Sequence, residues 1–234
     1  MSLLLNLAAA RHRASGPPPA NDVSFIAFAN NMFSTATSAS VVIPTAHAVG
    51  DLLIGVVMSQ SPPTTSVSGW TLVAQSGPTG ASSPIYTSIF KRVSTESGGG
   101  VLGTWNQTPS GKISVSVVVF RGSTGTPSVL DSTTATTTDI NVTTVTPPVA
   151  LSTNNMLFIA GSSSVSSVAT TTHGSIDSAW TADSRTSFGS TTDHLNYMCG
   201  HKKPTQTSTA ESGVITLDTF SGPNAWANVG LLIG

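Results

Sequence analysis

Charged side chains are scarce in this sequence. They make up 8% of its 234 residues, against about 25% in an ordinary soluble domain. Nine Lys and Arg stand against ten Asp and Glu, for a net charge of −1, so no basic field exists to collect phosphates or anionic lipid. Neither nucleic acid nor a membrane is expected as a partner. Cysteine is nearly absent as well. Cys199 is alone, which excludes an intrachain disulfide and a cysteine-based metal cluster, and a lone cysteine of this kind is expected to be buried. No apolar run approaches the roughly 20 residues of a membrane-spanning helix. The acids are scattered. No two are placed by sequence as a glycosidase pair, and neither a calcium loop of alternating Asp and Asn nor a Gly-x-Ser-x-Gly elbow occurs. Catalysis, a metal and a cofactor are therefore not expected.

What the chain has instead is hydroxyl. It carries 36 Ser and 34 Thr, far above ordinary usage. Threonine is β-branched and suits a pleated, half-exposed surface, so the composition reads as sheet whose outer faces are wetted by hydroxyls rather than charges. Strand-length runs rich in Val, Ile, Phe and Tyr lie at 23–28, 51–59, 85–93 and 112–121, and again at 156–160, 195–201, 214–220 and 226–233. In the fourth run Ile113, Val115, Val117 and Val119 alternate with Ser114 and Ser116, which predicts one buried face. Turn signals punctuate the runs at Ser61-Pro62-Pro63, Ser76-Gly77-Pro78, Gly98-Gly99-Gly100, Pro109-Ser110-Gly111 and Ser221-Gly222-Pro223. Short strands between Gly and Pro turns define an all-β sandwich or barrel.

The runs also repeat. Gly50-Asp51-Leu52-Leu53-Ile54 is matched by Asn154-Asn155-Met156-Leu157-Phe158 at a displacement of 104 positions, and Ser68-Gly69-Trp70-Thr71 by Ser178-Ala179-Trp180-Thr181 at 110. Tyr86 with Lys91-Arg92 is aligned with Tyr197 and Lys202-Lys203 at 111, and Ile113–Val119 with Trp226–Leu232 at 113. The order is kept and the displacement drifts one way, as small loop insertions in a duplicated unit would make it. The expected fold is all-β, with two tandem repeated antiparallel β-sandwich lobes, jelly-roll-like or Ig-like. Residues 21–128 form the first repeat and 129–234 the second, with a Ser- and Thr-rich joint near 122–138. Two lobes in contact are favoured over one shared core, which the pattern alone leaves open.

Residues 1–20 form an extended N-terminal arm. Its apolar run precedes Arg11 and Arg13 rather than following them, the reverse of a signal peptide. Leu3, Leu4, Leu5 and Leu7 are candidate anchors into a partner subunit, with Pro17-Pro18-Pro19 as a stiff spacer. The arm folded back on its own sandwich, or disordered, is the other reading.

Few residues suggest chemistry. Asp193, His194, Cys199 and His201 lie close together, and on a strand Cys199 and His201 share a face. They form half a motif without metal-site spacing, and packed or solvated strand residues are the plainer account. Gly98-Gly99-Gly100 precedes no helix, so it is a loop and not a phosphate cradle. Asn106-Gln107-Thr108 and Asn141-Val142-Thr143 match the glycosylation acceptor pattern, a frequent coincidence in a Thr-rich chain. Of the four tryptophans, Trp70 and Trp180 are expected in the core because the repeat keeps them. Trp105 is the candidate for an exposed, ligand-stacking indole.

The order Gly50 to Leu53, Gly69 to Leu72, Tyr86 to Arg92 and Val117 to Gly122 resembles duplicated β-sandwich modules of tailed-bacteriophage structural proteins, of the tail, fibre-associated or head-decoration type. The resemblance covers residues 40–122 and reaches the second half only through the repeat, where Asn154-Asn155 replaces Gly50-Asp51 and puts equal contacts by both copies in doubt. It implies a virion structural protein and not an enzyme. The partners it implies are other capsid or tail subunits, with a homo-oligomer, trimeric or otherwise repeated. The alternative is an extracellular or cell-surface carbohydrate-binding module or adhesin that recognises host glycans.

Overall fold

The computed structural model describes residues 20–64, 66–79, 84–135, 143–145, 152–165, 175–176, 180–190, 193–205, 213–216 and 224–234, and among these there is no helix. The N-terminal arm with Leu3, Leu4, Leu5 and Leu7 lies outside the described residues. The first half supplies β1 (Val23–Ile43), β2 (Leu52–Ser59), β3 (Thr71–Thr79), β4 (Ile85–Val93) and β5 (Gly100–Gly122). The second supplies β6 (Val129–Ala135), β7 (Thr143–Val145), β8 (Met156–Val165), β9 (Ser175–Ile176), β10 (Thr181–Ser190), β11 (Asp193–Lys202), β12 (Gly213–Thr216) and β13 (Asn224–Ile233). All pairings are antiparallel.

The duplication is visible in the topology. One five-stranded sheet has the order β1-β5-β2-β4-β3, and the other, taken from its far edge, β6-β13-β8-β11-β10. Each strand of the second sheet occupies the place of its counterpart in the first. Even the irregularities recur. The β3/β4 ladder skips Val73 between Leu72 and Ala74, and the β10/β11 ladder skips Asp183 between Ala182 and Ser184. Likewise Ile26 bulges out of β1 and Leu130 out of β6. Bulges re-aim side chains and bend strands, so their retention marks them as parts of the unit.

Register corrects one part of the sequence alignment. Leu53 pairs with Arg92 in the first sheet and Leu157 with Lys202 in the second, so β4 and β11 correspond at a displacement of 110, not 111. A one-residue slip exchanges the two faces of a strand. Tyr197 therefore corresponds to Thr87 rather than Tyr86, and Cys199 to Ile89 rather than Ser88.

Three cores result. The largest lies between the two sheets and draws on both repeats: Leu52, Ile54, Val118 and Phe120 from one, with Phe158, Cys199, Val229 and Ile233 from the other. A second belongs wholly to the first repeat. There the far halves of β1 and β5, which pair from Ala36↔Gly111 to Ile43↔Gly100, fold over the outer face, so that Val41, Ile43 and Trp105 pack on Leu53, Val57 and Phe90. The third belongs to the second repeat and contains Leu157, Ile159, Trp180, Met198 and Leu232. There β7 and β12 pair as the far halves of β1 and β5 do, with β9 added at the edge. Each repeat is thus a lobe with its own interior, and the two lobes are fused through a common one.

This explains why every residue of β2 is buried. Its odd-numbered side chains face their own lobe's core and its even-numbered ones the shared core, so the run is apolar without alternation. It also overturns the one-faced reading of β5. Ser114 and Ser116 are buried against the second repeat, because the other sheet covers that face. Some of the hydroxyls buried there are bonded, as when the Thr87 hydroxyl donates to the Ala227 carbonyl at 2.7 Å beside the Ser162 hydroxyl. The hydroxyl-rich composition therefore serves the lobe interface as well as the outer surface.

Two of the expected turns are bulges inside strands. Ser76-Gly77-Pro78 sits where the β3/β4 pairing jumps from Ser76↔Thr87 to Thr79↔Ile85, with Gly77 at φ +108°. A Cβ there would fall 2.3 Å from the Ile85 carbonyl oxygen, so only glycine fits. Pro109-Ser110-Gly111 lies within β5, opposite the break between Ala36 and Ser38. Gln107 is buried there and donates to the Ala36 carbonyl at 2.8 Å, beside the break in the ladder. The joint between repeats is also shorter than the Ser- and Thr-rich stretch suggested, since β6 already begins at Val129.

Trp105 is fully buried, with Trp70 at 5.2 Å and Phe90 at 5.6 Å between ring centroids. Replacing it with Ala is expected to cost about 3–5 kcal/mol, whereas Val42→Ser, at a side chain 56% exposed, should cost under about 0.5 kcal/mol. Urea unfolding monitored by circular dichroism measures both.

Candidate functional site

The Asp51–Arg121, Asp22–Lys203 and Asp183–His201 pairs gather at one end of the molecule, where residues 123–128 carry the chain from β5 to β6. Here each repeat closes the turn before its second strand. The Ala48 N–H donates to Asp51 Oδ2 at 2.7 Å, and at the equivalent place the Ser152 N–H donates to Asn155 Oδ1 at 2.8 Å. The replacement of Gly50-Asp51 by Asn154-Asn155 thus preserves the turn. What differs is charge. Asp51 also receives Arg121 Nε and Nη2, each at 2.7 Å, a bidentate pair. Gly234 stands in the place of Arg121, and a Cβ there would come within 2.5 Å of the Asn155 amide. The second copy lacks both carboxylate and guanidinium, so neither charge is stranded.

At the same end the two repeats grip one another. The Val23 N–H donates to the Asn154 carbonyl at 2.9 Å, Lys203 Nζ donates to the same carbonyl at 3.3 Å, and Lys203 also pairs with Asp22. Phe25 of β1 stacks on His201 of β11 with centroids 4.4 Å apart and planes at 9°. His201 Nδ1 meets Asp183 Oδ1 at 2.7 Å. The Asp183 carboxylate is only 2% exposed. Burial pushes its pKa above the ordinary carboxylate range, and the hydrogen bond from His201 opposes that rise. The bulge in β10 aims Asp183 at this ring, while Val73 holds the matching position in the first repeat.

The sequence-predicted constellation does not assemble. Cys199 and His201 share a face of β11, but Cys199 is fully buried in the shared core and His201 sits at its rim. Tyr197, two residues before Cys199, is also sealed in, and burial drives its phenol well above its usual pKa. The side chains of Asp193 and His194 lie outside the described residues. Among the described residues no group of three or more His, Cys, Asp and Glu is placed to hold a metal. The expected exposure of Trp105 is overturned, because the folded-over half of β5 carries it inward. Trp70 and Trp180 are core residues, each 6% exposed. Asp183, Phe25 and Asp22 were missed. The register-corrected repeat held the signal for Asp183, a carboxylate opposite Val73.

No protein-family model, curated protein or solved structure matches the chain. The likeness to phage modules rests on the quoted residues alone.

Two mutational cycles probe this end. His201→Ala leaves a buried carboxylate without its partner and should cost about 2–3 kcal/mol. Asp183→Ala/His201→Ala should cost less than the sum of the single changes by more than about 1 kcal/mol. Similarly, Arg121→Ala should lose about 1–3 kcal/mol, and adding Asp51→Asn, as in the second repeat, should return more than half of it. Denaturant unfolding of the single and double variants reads both cycles.

Proposed function

We propose that the chain is a structural subunit of a tailed-phage virion, a surface-decorating or tail-associated protein held by its N-terminal arm and working as an oligomer. The observation that carries this reading is the clamping of the arm's exit. Asp22 and Val23 are bonded to Lys203 and Asn154 of the second repeat, and Asp22 accepts from the Ser123 N–H at 3.0 Å. Residues 1–20, with Leu3, Leu4, Leu5 and Leu7, therefore depart from a point fixed to both lobes. A load on the arm passes to the shared core rather than to one loop. The rest of the molecule suits attachment by burial, because faces rich in hydroxyl and poor in charge can be desolvated without stranding ions.

The carbohydrate-binding alternative loses the aromatic platform first assigned to it at Trp105. Light scattering of the full chain and of a chain lacking residues 1–20 tests the proposal. Assembly of the full chain, with a truncated form that is monomeric and melts at the same temperature, is the expected result. Two monomers would sink it.

A further inference from the structure

The repeat builds its lobe junction twice. On one side a cleft of about 690 Å³ is lined by Phe25 and Met156 below, with Thr181, His201, Lys202 and Lys203 around it. Exchanging each residue for its counterpart in the other repeat gives Val129, Leu52, Thr71, Lys91, Arg92 and Val93. These line two adjoining depressions on the other side. Both clefts combine an apolar floor, hydroxyls at the rim and paired cations. Of the seven Lys and Arg among the described residues, these clefts hold four, Lys91, Arg92, Lys202 and Lys203. Such a concentration is unexpected in a chain with so little charge. Both clefts open at the end where the chain passes from β5 to β6. Ser123 is bonded to Asp22 beside one cleft and Ser128 lines the other, and the five steps along the chain from Ser123 to Ser128 span at most about 18 Å.

We propose that the two clefts together bind one acidic polysaccharide, each taking an anionic group of the same chain. A sugar ring offers an apolar C–H face to Phe25, or to Val93 and Leu130. Its hydroxyls meet the Ser and Thr rim, and its carboxylate or sulfate meets the cations. Each cleft has an exposed acid that the ligand's anionic group displaces: Asp22 on Lys203 and Glu96 on Arg92, 53% and 51% exposed. A second acid lies at each cleft, Asp183 on His201 in the first and Asp131 in the second. This site is independent of the arm and of any assembly role.

The test is binding of dextran sulfate and polygalacturonate to the full chain by biolayer interferometry near physiological salt, with neutral dextran and poly-glutamate as comparisons. At least one of the two acidic polysaccharides should bind, and neutral dextran should not. Lys91→Ala/Lys202→Ala should weaken binding by about tenfold or more, and by more than either single change. Asp22→Asn, which releases Lys203, should tighten it. Unchanged melting temperatures establish that the variants fold. The proposal is overturned if neither acidic polysaccharide binds, if the double variant binds like the parent, or if Asp22→Asn weakens binding. Equal binding of poly-glutamate would also overturn it, because the sugar would then contribute nothing.

Discussion

Neither sheet buries its inner face without the other. The inner face of the first presents Leu52, Ile54, Val118 and Phe120, and that of the second presents Phe158, Val229, Leu231 and Ile233. Exposed, either face would be an apolar patch far beyond what a soluble monomer carries. Their mutual burial turns two lobes into one body and places the inter-lobe clefts where they are. It also decides which hydroxyls are buried. Ser114, Ser116, Thr87 and Ser162 are interior only because a second sheet lies over them. A hydroxyl that finds a carbonyl acceptor, as Thr87 does at Ala227, adds polarity to such an interface at little cost. A charge would not, and the sequence places almost none there.

Duplication explains the geometry and divergence explains the chemistry. The strand order and the two bulges are held in common, since a bulge cannot be lost without turning the residues beyond it to the wrong face. Side chains at those bulges were free to change. Val73 has Asp183 as its counterpart, and Lys91 has His201, so one junction holds a hydrogen-bonded Asp–His pair where the other is apolar and basic. The Asp51–Arg121 pair and its neutral counterpart, Asn155 with Gly234, show the same principle at a turn. Charges there come or go in pairs, while the backbone hydrogen bond remains.

The fold class was legible because alternation, turn residues and β-branched runs all point to sheet. The repeat was legible through Gly50–Ile54 and the two tryptophans. What the pattern could not carry was the partner of each face. Ile113 to Val119 reads as one-sided because serine is polar on average, and only the second sheet makes those serines interior. Pro109-Ser110-Gly111 and Ser76-Gly77-Pro78 read as turns because Gly and Pro mark any break in regular geometry, a bulge as readily as a loop. Trp105 was misplaced for a related reason. Its neighbours Asn106 and Gln107 suggest a wet loop, yet Gln107 is buried and bonded across the bulge. The junction site was invisible because it combines Phe25 with Asp183 and His201, far apart in sequence and brought together only by the packing of the sheets.

The dependence of each sheet on the other is tested most directly by expressing residues 21–128 and 129–234 as separate chains and following each by circular dichroism during heating. Neither half is expected to melt cooperatively alone, each should bind a hydrophobic dye, and mixing them should restore a single sharp transition. Two halves that fold and melt independently, each as well as the parent chain, would contradict that dependence.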